Sequence, residues 1–321
     1  MTAVTFDDVR AAAERIAGHV HRTPVLRSST IDAELGASVF FKAENLQKVG
    51  AFKARGATNA VLSLPPERAR AGVVTHSSGN HGQALAYAAR VRSVPAWVVI
   101  PDDASEMKVS AVAGYGATVV RCHRSQREAE ALRLSVATGA TLIHPYDDPA
   151  VIAGQGTAAL ELLEEVPDLD VVIAPVGGGG LLSGTAITVA ALAPWADVIG
   201  AEPAAVDDAY RSLATGIRQP AVPDPHTLGD GLLTALGEIT FPILLGLGVG
   251  IITVDEESIV DAGITFLTRM KIVVEPSAAT ILAAMRTDPG RFAGRRVGAI
   301  ISGGNTDLAW VPARSSRPHR Q

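Results

Sequence analysis

The 321-residue chain has one cysteine, Cys122, so no internal disulfide is available and a reducing compartment is expected. Aromatic residues make up only 4% of it, and no apolar run is long enough to span a bilayer. The longest such run, Phe241–Val254, is interrupted by Pro242 and by Gly246, Gly248 and Gly250. Positive charge is not in excess: the net charge is −5 with both signs interspersed, which lacks the electrostatic footprint of a nucleic-acid binder. No basic-plus-apolar leader precedes Phe6, so a soluble, cytoplasmic protein without membrane partners is expected. Lysine is also scarce. Only Lys42, Lys48, Lys53, Lys108 and Lys271 occur, with arginine supplying the rest of 28 basic residues. A lysine in this chain is therefore a better than usual candidate for a chemical role.

Glycine, by contrast, is plentiful and clustered. Ala174–Gly184 reads APVGGGGLLSG, after an apolar run and before a long Ala/Leu/Val-rich segment, the pattern of strand, turn and helix. Four residues without Cβ allow positive φ and close approach of a ligand. Their N–H groups and the following helix N-terminus form an anion cradle, read here as a phosphate site. A bare tight turn is the alternative reading. A dinucleotide fingerprint fails, because the third glycine position holds Leu182 or Ser183.

The rest of the chain supplies the frame. Thr5–Asp8 reads as a capping box opening a helix. Short β-branched runs at 39–42, 72–75, 96–100, 118–121, 141–144, 170–174, 198–201 and 296–301 alternate with helical segments, including 55–64 and 256–270. That alternation predicts an α/β protein with a mostly parallel sheet covered by helices. Ligands in such sheets lie beyond the carboxyl ends of the strands. The loops 77–81, 202–208 and 302–305 should share that side with the glycine turn. Lys53 stands in a loop just before a helix. A phosphate cradle with a desolvated amine and no nucleotide motif suggests pyridoxal 5′-phosphate, whose aldehyde needs a lysine. The basic tail 314–321 is expected to be disordered.

Four ordered motifs now carry a resemblance. Phe52-Lys53-Ala54-Arg55-Gly56-Ala57, Ser77-Ser78-Gly79-Asn80-His81-Gly82-Gln83-Ala84, Gly177–Gly180 and Ser302-Gly303-Gly304-Asn305 are similar to the signatures of the serine/threonine dehydratase and serine racemase family. The similarity runs from Thr23-Pro24 to Asn305. It implies a fold-type-II pyridoxal phosphate enzyme like the β-subunit of tryptophan synthase. Residues 1–69 and 149–321 would form a large cofactor-binding domain, with 70–148 as a small inserted one. A homodimer of the short form, without a regulatory domain, is implied.

The resemblance also implies roles. Lys53 would carry the cofactor as a Schiff base and take the substrate's Cα proton. Phe52 would lie beside the pyridine ring, or serve only as core. Asn80 would bond the phenolic oxygen, Ser302 would face the pyridine nitrogen, and Gly177, Gly178, Gly179, Gly180 and Leu181 would hold the phosphate through backbone N–H groups. Ser77, Ser78 and His81 would hold the substrate carboxylate, with a helix-capping role as the alternative for His81. Ser78 matches the second acid/base of the racemase branch. Glu202, the Val206 carbonyl and Asp208 would hold Mg²⁺, Ca²⁺ or Mn²⁺, whereas spacing alone reads as a solvated acidic turn.

Two departures stand out. Tyr146 replaces Asn in an H-P-N pattern, and the stretch before Arg127 is shorter than in racemases. Arg127 is then either a substrate-side residue able to pair a second carboxylate or a surface helix arginine. Glu275 could line the cofactor edge or cap a helix. The implied reaction is dehydration and deamination of L-threonine or L-serine to a 2-oxo acid and ammonia. Serine racemisation and 3-hydroxyaspartate ammonia-lyase activity are the alternatives.

Overall fold

The computed structural model describes residues 4–312 apart from Ser78, Asp103 and Ser105, and leaves out the side chains of Met107 and Lys108. Among the described residues ten strands form two sheets: β1 (Val25–Leu26), β2 (Ser38–Ala43), β3 (Val73–His76), β4 (Ala96–Pro101), β5 (Thr118–Cys122), β6 (Thr141–Leu142), β7 (Val171–Pro175), β8 (Asp197–Pro203), β9 (Gly250–Val254) and β10 (Arg296–Ile301). One sheet has the order β1-β2-β10-β7-β8-β9, the other β5-β4-β3-β6. Every pairing is parallel except that of β1 with β2.

Both faces of the larger sheet are buried, as parallel sheets require. Neighbouring residues on a strand point to opposite sides, so Phe41 and Ile173 join the core with Phe266, Ile281 and Met285, while Phe40 and Val172 join the other with Leu162, Leu182 and Val189. Register follows: Val297 stands opposite Val39 on one side and Val171 on the other.

The expected strands all occur, with ends that differ by at most two residues. β1 and β9 were not expected. The strand β9 lies inside the run Phe241–Val254, where sustained apolarity hides the change from helix to strand. The 256–270 helix is α-helical over Glu256–Thr265 and continues as a π-helical turn, Phe266–Met270. The Thr5–Asp8 capping box is present. The tail 314–321 lies outside the described residues.

One helix, Pro149–Glu165, is central to the site. At Gly154, an added Cβ would come within 2.6 Å of the Gly56 Cα, and at Gly156 within 2.9 Å of the Gly184 carbonyl. Gly56 belongs to the helix Lys53–Ser63 and Gly184 to the helix Gly180–Leu192. Backbone-to-backbone contact on two faces thus sets the helix that starts with Lys53 and the helix that starts at the glycine turn in fixed relation.

Candidate active site

Lys53 is the first residue of its helix, which begins two residues before the expected 55–64 segment, and does not lie in the preceding loop. Its Nζ donates to the Pro145 carbonyl at 2.7 Å and lies 5.2 Å from the Phe52 ring centroid. Burial lowers its pKa to about 8, with the Glu275 carboxylate pulling the other way, so a neutral, nucleophilic amine is accessible near neutral pH. Beneath this first turn lies a largely buried ion network centred on Arg55 of the lysine motif. Arg55 donates to Glu44 through Nε and Nη2, each at 2.7 Å, and to Glu161 at 2.7 and 2.8 Å. Lys42, itself wholly buried, pairs with Glu161 at 2.6 Å. Two cations against two anions make such burial tolerable and fix the helix from below.

A cavity of about 820 Å³ opens above Lys53. Phe52, Asn80, His81, Ser77, Ser302, Gly177, Gly178, Gly179, Gly180, Leu181 and Arg127 all line it. The structure therefore brings together, from strand ends and helix starts far apart in sequence, every candidate the motifs named for cofactor and substrate except Ser78, which lies outside the described residues. The loop after β2 meets the loop after β10: Phe52 N donates to the Ser302 carbonyl at 2.9 Å, and Ala51 bridges to Gly303. Asn80 opens the helix Asn80–Arg92. Its Nδ2 donates to both Glu275 oxygens at 3.0 Å, and its Oδ1 accepts from Asn305 at 2.8 Å. Glu275 occupies the N-cap position of the helix Pro276–Thr287 but makes no side-chain cap bond, so it belongs to the cavity edge.

The glycine turn packs too closely for side chains. A Cβ on Gly178 would meet the Tyr146 ring at 2.3 Å, and Gly179 holds φ +89°. The cavity floor thus fits pyridoxal phosphate: bare backbone for the phosphate, an amine for the aldehyde and polar groups on the rim.

Burial favours the neutral form of three histidines here, His76, His81 and His144. His81 is buried with neither ring nitrogen in a well-formed hydrogen bond, and burial holds its pKa well below the ordinary value, helped by Lys53. His81 does not cap its helix; Gly79 is the N-cap. Burial brings His76 and His144 down to about 4. Arg127 opens the helix Arg127–Thr138 on the far wall, half-buried, with Glu128 at 3.8 Å.

Glu202, Val206 and Asp208 do not line the cavity. Glu202 is fully buried at the end of β8 and accepts from Ala209 N and Tyr210 N, each at 2.9 Å. Both Asp208 oxygens are buried and close no hydrogen bond to another described residue. Burial raises Glu202 to about 8 and Asp208 to about 6. Such orphaned oxygens fit a hard cation, although among the described residues no cluster of three His, Cys, Asp or Glu is assembled.

A family model described as "Pyridoxal-phosphate dependent enzyme" matches residues 16–303. The chain is 51% identical to serine racemase from Dictyostelium discoideum, covering 97% of this chain and 98% of that one. It is 46% identical to beta-hydroxyaspartate dehydratase from Paracoccus denitrificans, covering 96% and 98%. Among solved structures, a threonine deaminase from T.th. superposes with a TM-score of 0.90 at 47% identity, over 94% of this chain and 99% of that one. With a lysine at a helix start, a side-chain-free anion turn facing it and these similarities over nearly the full length, the chain belongs to the fold-type-II pyridoxal-phosphate dependent enzymes.

Proposed function

We propose that the protein dehydrates and deaminates short 3-hydroxy amino acids, and that 3-hydroxyaspartate is preferred over L-threonine and L-serine. The observation that carries this is a guanidinium, Arg127, on the wall of the cavity that also holds Lys53. Its ion pair with Glu128 is long, at 3.8 Å, which leaves it able to pair a second carboxylate. The similarity to a beta-hydroxyaspartate dehydratase supports the same reading.

Bound pyridoxal phosphate supplies an aldehyde for the amine and an electron sink for the charge left at Cα. Lys53 would hold the cofactor through its aldehyde, and its Nζ would take the substrate's Cα proton. The backbone of 177–181 would hold the phosphate, with Asn80 placed for the phenolic oxygen and Ser302 for the pyridine nitrogen. Ser77 and His81 hold the α-carboxylate at the start of the helix Asn80–Arg92. Loss of the β-hydroxyl as water and hydrolysis of the resulting enamine give 2-oxo acid and ammonia.

Residues 1–69 with 149–321 and residues 70–148 form the two domains in this proposal, which the confinement of the smaller sheet's strands to 73–142 supports. A cytoplasmic homodimer is part of it by family resemblance. Glu202, Asp208 and the Val206 carbonyl would hold a structural Mg²⁺, Ca²⁺ or Mn²⁺ apart from the chemistry; Mg²⁺ should raise the melting temperature of wild type and not of Asp208→Ala.

Release of 2-oxo acids from cofactor-loaded protein tests the substrate. Oxaloacetate should form from 3-hydroxyaspartate faster than 2-oxobutanoate from L-threonine; the reverse order would return the assignment to threonine. Similarity to serine racemases supports a second reading, and D-serine formed from L-serine in the same assay would establish it.

A further inference from the structure

The segment after β6 does more than line the cavity. Within it, each residue from Pro145 to Asp148 is tied to a different part of the chain. The His144 Nδ1 accepts from Asp147 N at 2.9 Å, Pro145 receives Lys53, and Asp148 caps the helix Pro149–Glu165. Tyr146 lays its ring against Gly178 and its backbone against Gly180.

Asp147 reaches furthest. Its Oδ2 accepts from Glu238 N at 2.9 Å, and its Oδ1 from Ile239 N at 2.9 Å and Thr240 N at 3.2 Å. Three consecutive backbone donors converge on one carboxylate more than ninety residues earlier. What they fix is Thr240, which is fully buried. Its Oγ1 accepts from Gly237 N at 2.8 Å and donates to the Gly178 carbonyl at 2.8 Å. Its Cβ is an atom that an added Cβ on Gly179 would strike, at 2.9 Å. A glycine run has no side chains to define its own shape, and its φ/ψ choices are the widest of any residue. Something outside the run must select the one arrangement in which successive N–H groups point inward. Holding the Gly178 carbonyl sets the peptide plane that carries the Gly179 N–H, since the two share one rigid amide.

We propose that Asp147 and Thr240 are positioning residues for the cofactor phosphate: Asp147 fixes residues 238–240, and Thr240 in turn fixes the peptide between Gly178 and Gly179. The inference rests on the glycine turn binding phosphate, the role given to it above. Both side chains act through the turn's backbone. Their effect is confined to the phosphate end, which distinguishes them from residues that hold the ring or simply stabilise the fold.

That distinction sets the test. Holoenzyme is stripped with hydroxylamine and titrated with pyridoxal phosphate and, separately, with pyridoxal, which lacks the phosphate, following the visible absorption of the lysine adduct. Asp147→Ala and Thr240→Val should each weaken pyridoxal phosphate by about tenfold or more while leaving pyridoxal within about twofold. Asp147→Asn, which keeps a carbonyl acceptor, and Thr240→Ser, which keeps the hydroxyl, should recover most of the loss. Equal weakening of both ligands, or no weakening of either, overturns the proposal. Failure of wild type itself to form the adduct would instead overturn the role given to Lys53 and the turn. If Asp147→Ala does not fold, Thr240→Val against Thr240→Ser decides, because that pair differs in a hydroxyl at a site that retains a β-branched or small side chain.

Discussion

The floor and the far wall of the cavity are built by different rules. At the floor, Lys53 and the glycine turn are placed by backbone-to-backbone contact through the helix Pro149–Glu165 and locked beneath by the buried ions of Arg55, Glu44, Glu161 and Lys42. At the wall, Arg127 opens the helix that follows the edge strand β5 in the chain, half-buried, its guanidinium in a long contact with the Glu128 carboxylate. A ligand shared between them meets a rigid end and an adjustable one. The difference suits a cofactor that never changes and a substrate side chain that does.

Breaking the floor should have the largest effect. Lys53→Ala should remove the visible band of the cofactor adduct and lower turnover by about 10²–10⁴-fold or more, read by absorbance and 2-oxo acid release. A persisting band with full turnover would show that the amine is elsewhere. At the wall, the effect should be selective. Arg127→Ala should raise KM for 3-hydroxyaspartate by about 10 to 150-fold, the worth of a charged hydrogen bond, and change L-serine turnover only slightly. Equal losses on both substrates would reject a carboxylate partner.

Between the two comes packing. Gly154→Ala adds a methyl where the Gly56 backbone stands 2.6 Å away, and should cost about 1–3 kcal/mol by overpacking, seen as a lower denaturation midpoint. The same change at Gly139, where the nearest atom is a side-chain carbon at 3.7 Å but φ is +73°, would cost stability through the backbone and leave cofactor affinity unaltered. The smallest effect is on pH dependence. Adduct formation in stripped enzyme requires neutral Lys53, so its rate should rise through a midpoint near 8, well below an ordinary lysine. Glu275 favours the ammonium form; Glu275→Gln should therefore move the midpoint lower, measured by stopped-flow absorbance.

The motif residues were legible because each is a backbone or chemical requirement written locally: a tetraglycine at a strand end, a lysine beside a helix start, an asparagine after two serines and a glycine. The placement of Lys53 was off by the width of a helix cap, since Phe52 already has helical φ/ψ and supplies no side-chain cap to mark the start. Glu44 and Glu161 carry no such local signature, and Arg55, although inside the lysine motif, shows no local sign of its partners until the fold brings both carboxylates within 3 Å of its guanidinium. Asp147 and Thr240 were invisible for the same reason, being joined across more than ninety residues by hydrogen bonds to backbone. The scarcity of lysine did point somewhere real: Lys42 is not solvated but wholly buried, in a structural part rather than a catalytic one. At Glu275 two readings stood open, and the bidentate contact with Asn80 decided between them.

The paired glycines of the helix Pro149–Glu165 act as a spacer gauge. The reach from the reactive aldehyde to the phosphate of one small molecule is a constant, and here two bare helix flanks set the matching reach in the protein. Any residue larger than glycine at either flank would recalibrate that gauge, so the error would register at the two ends of the ligand at once, while the substrate side of the cavity could be retuned without disturbing it.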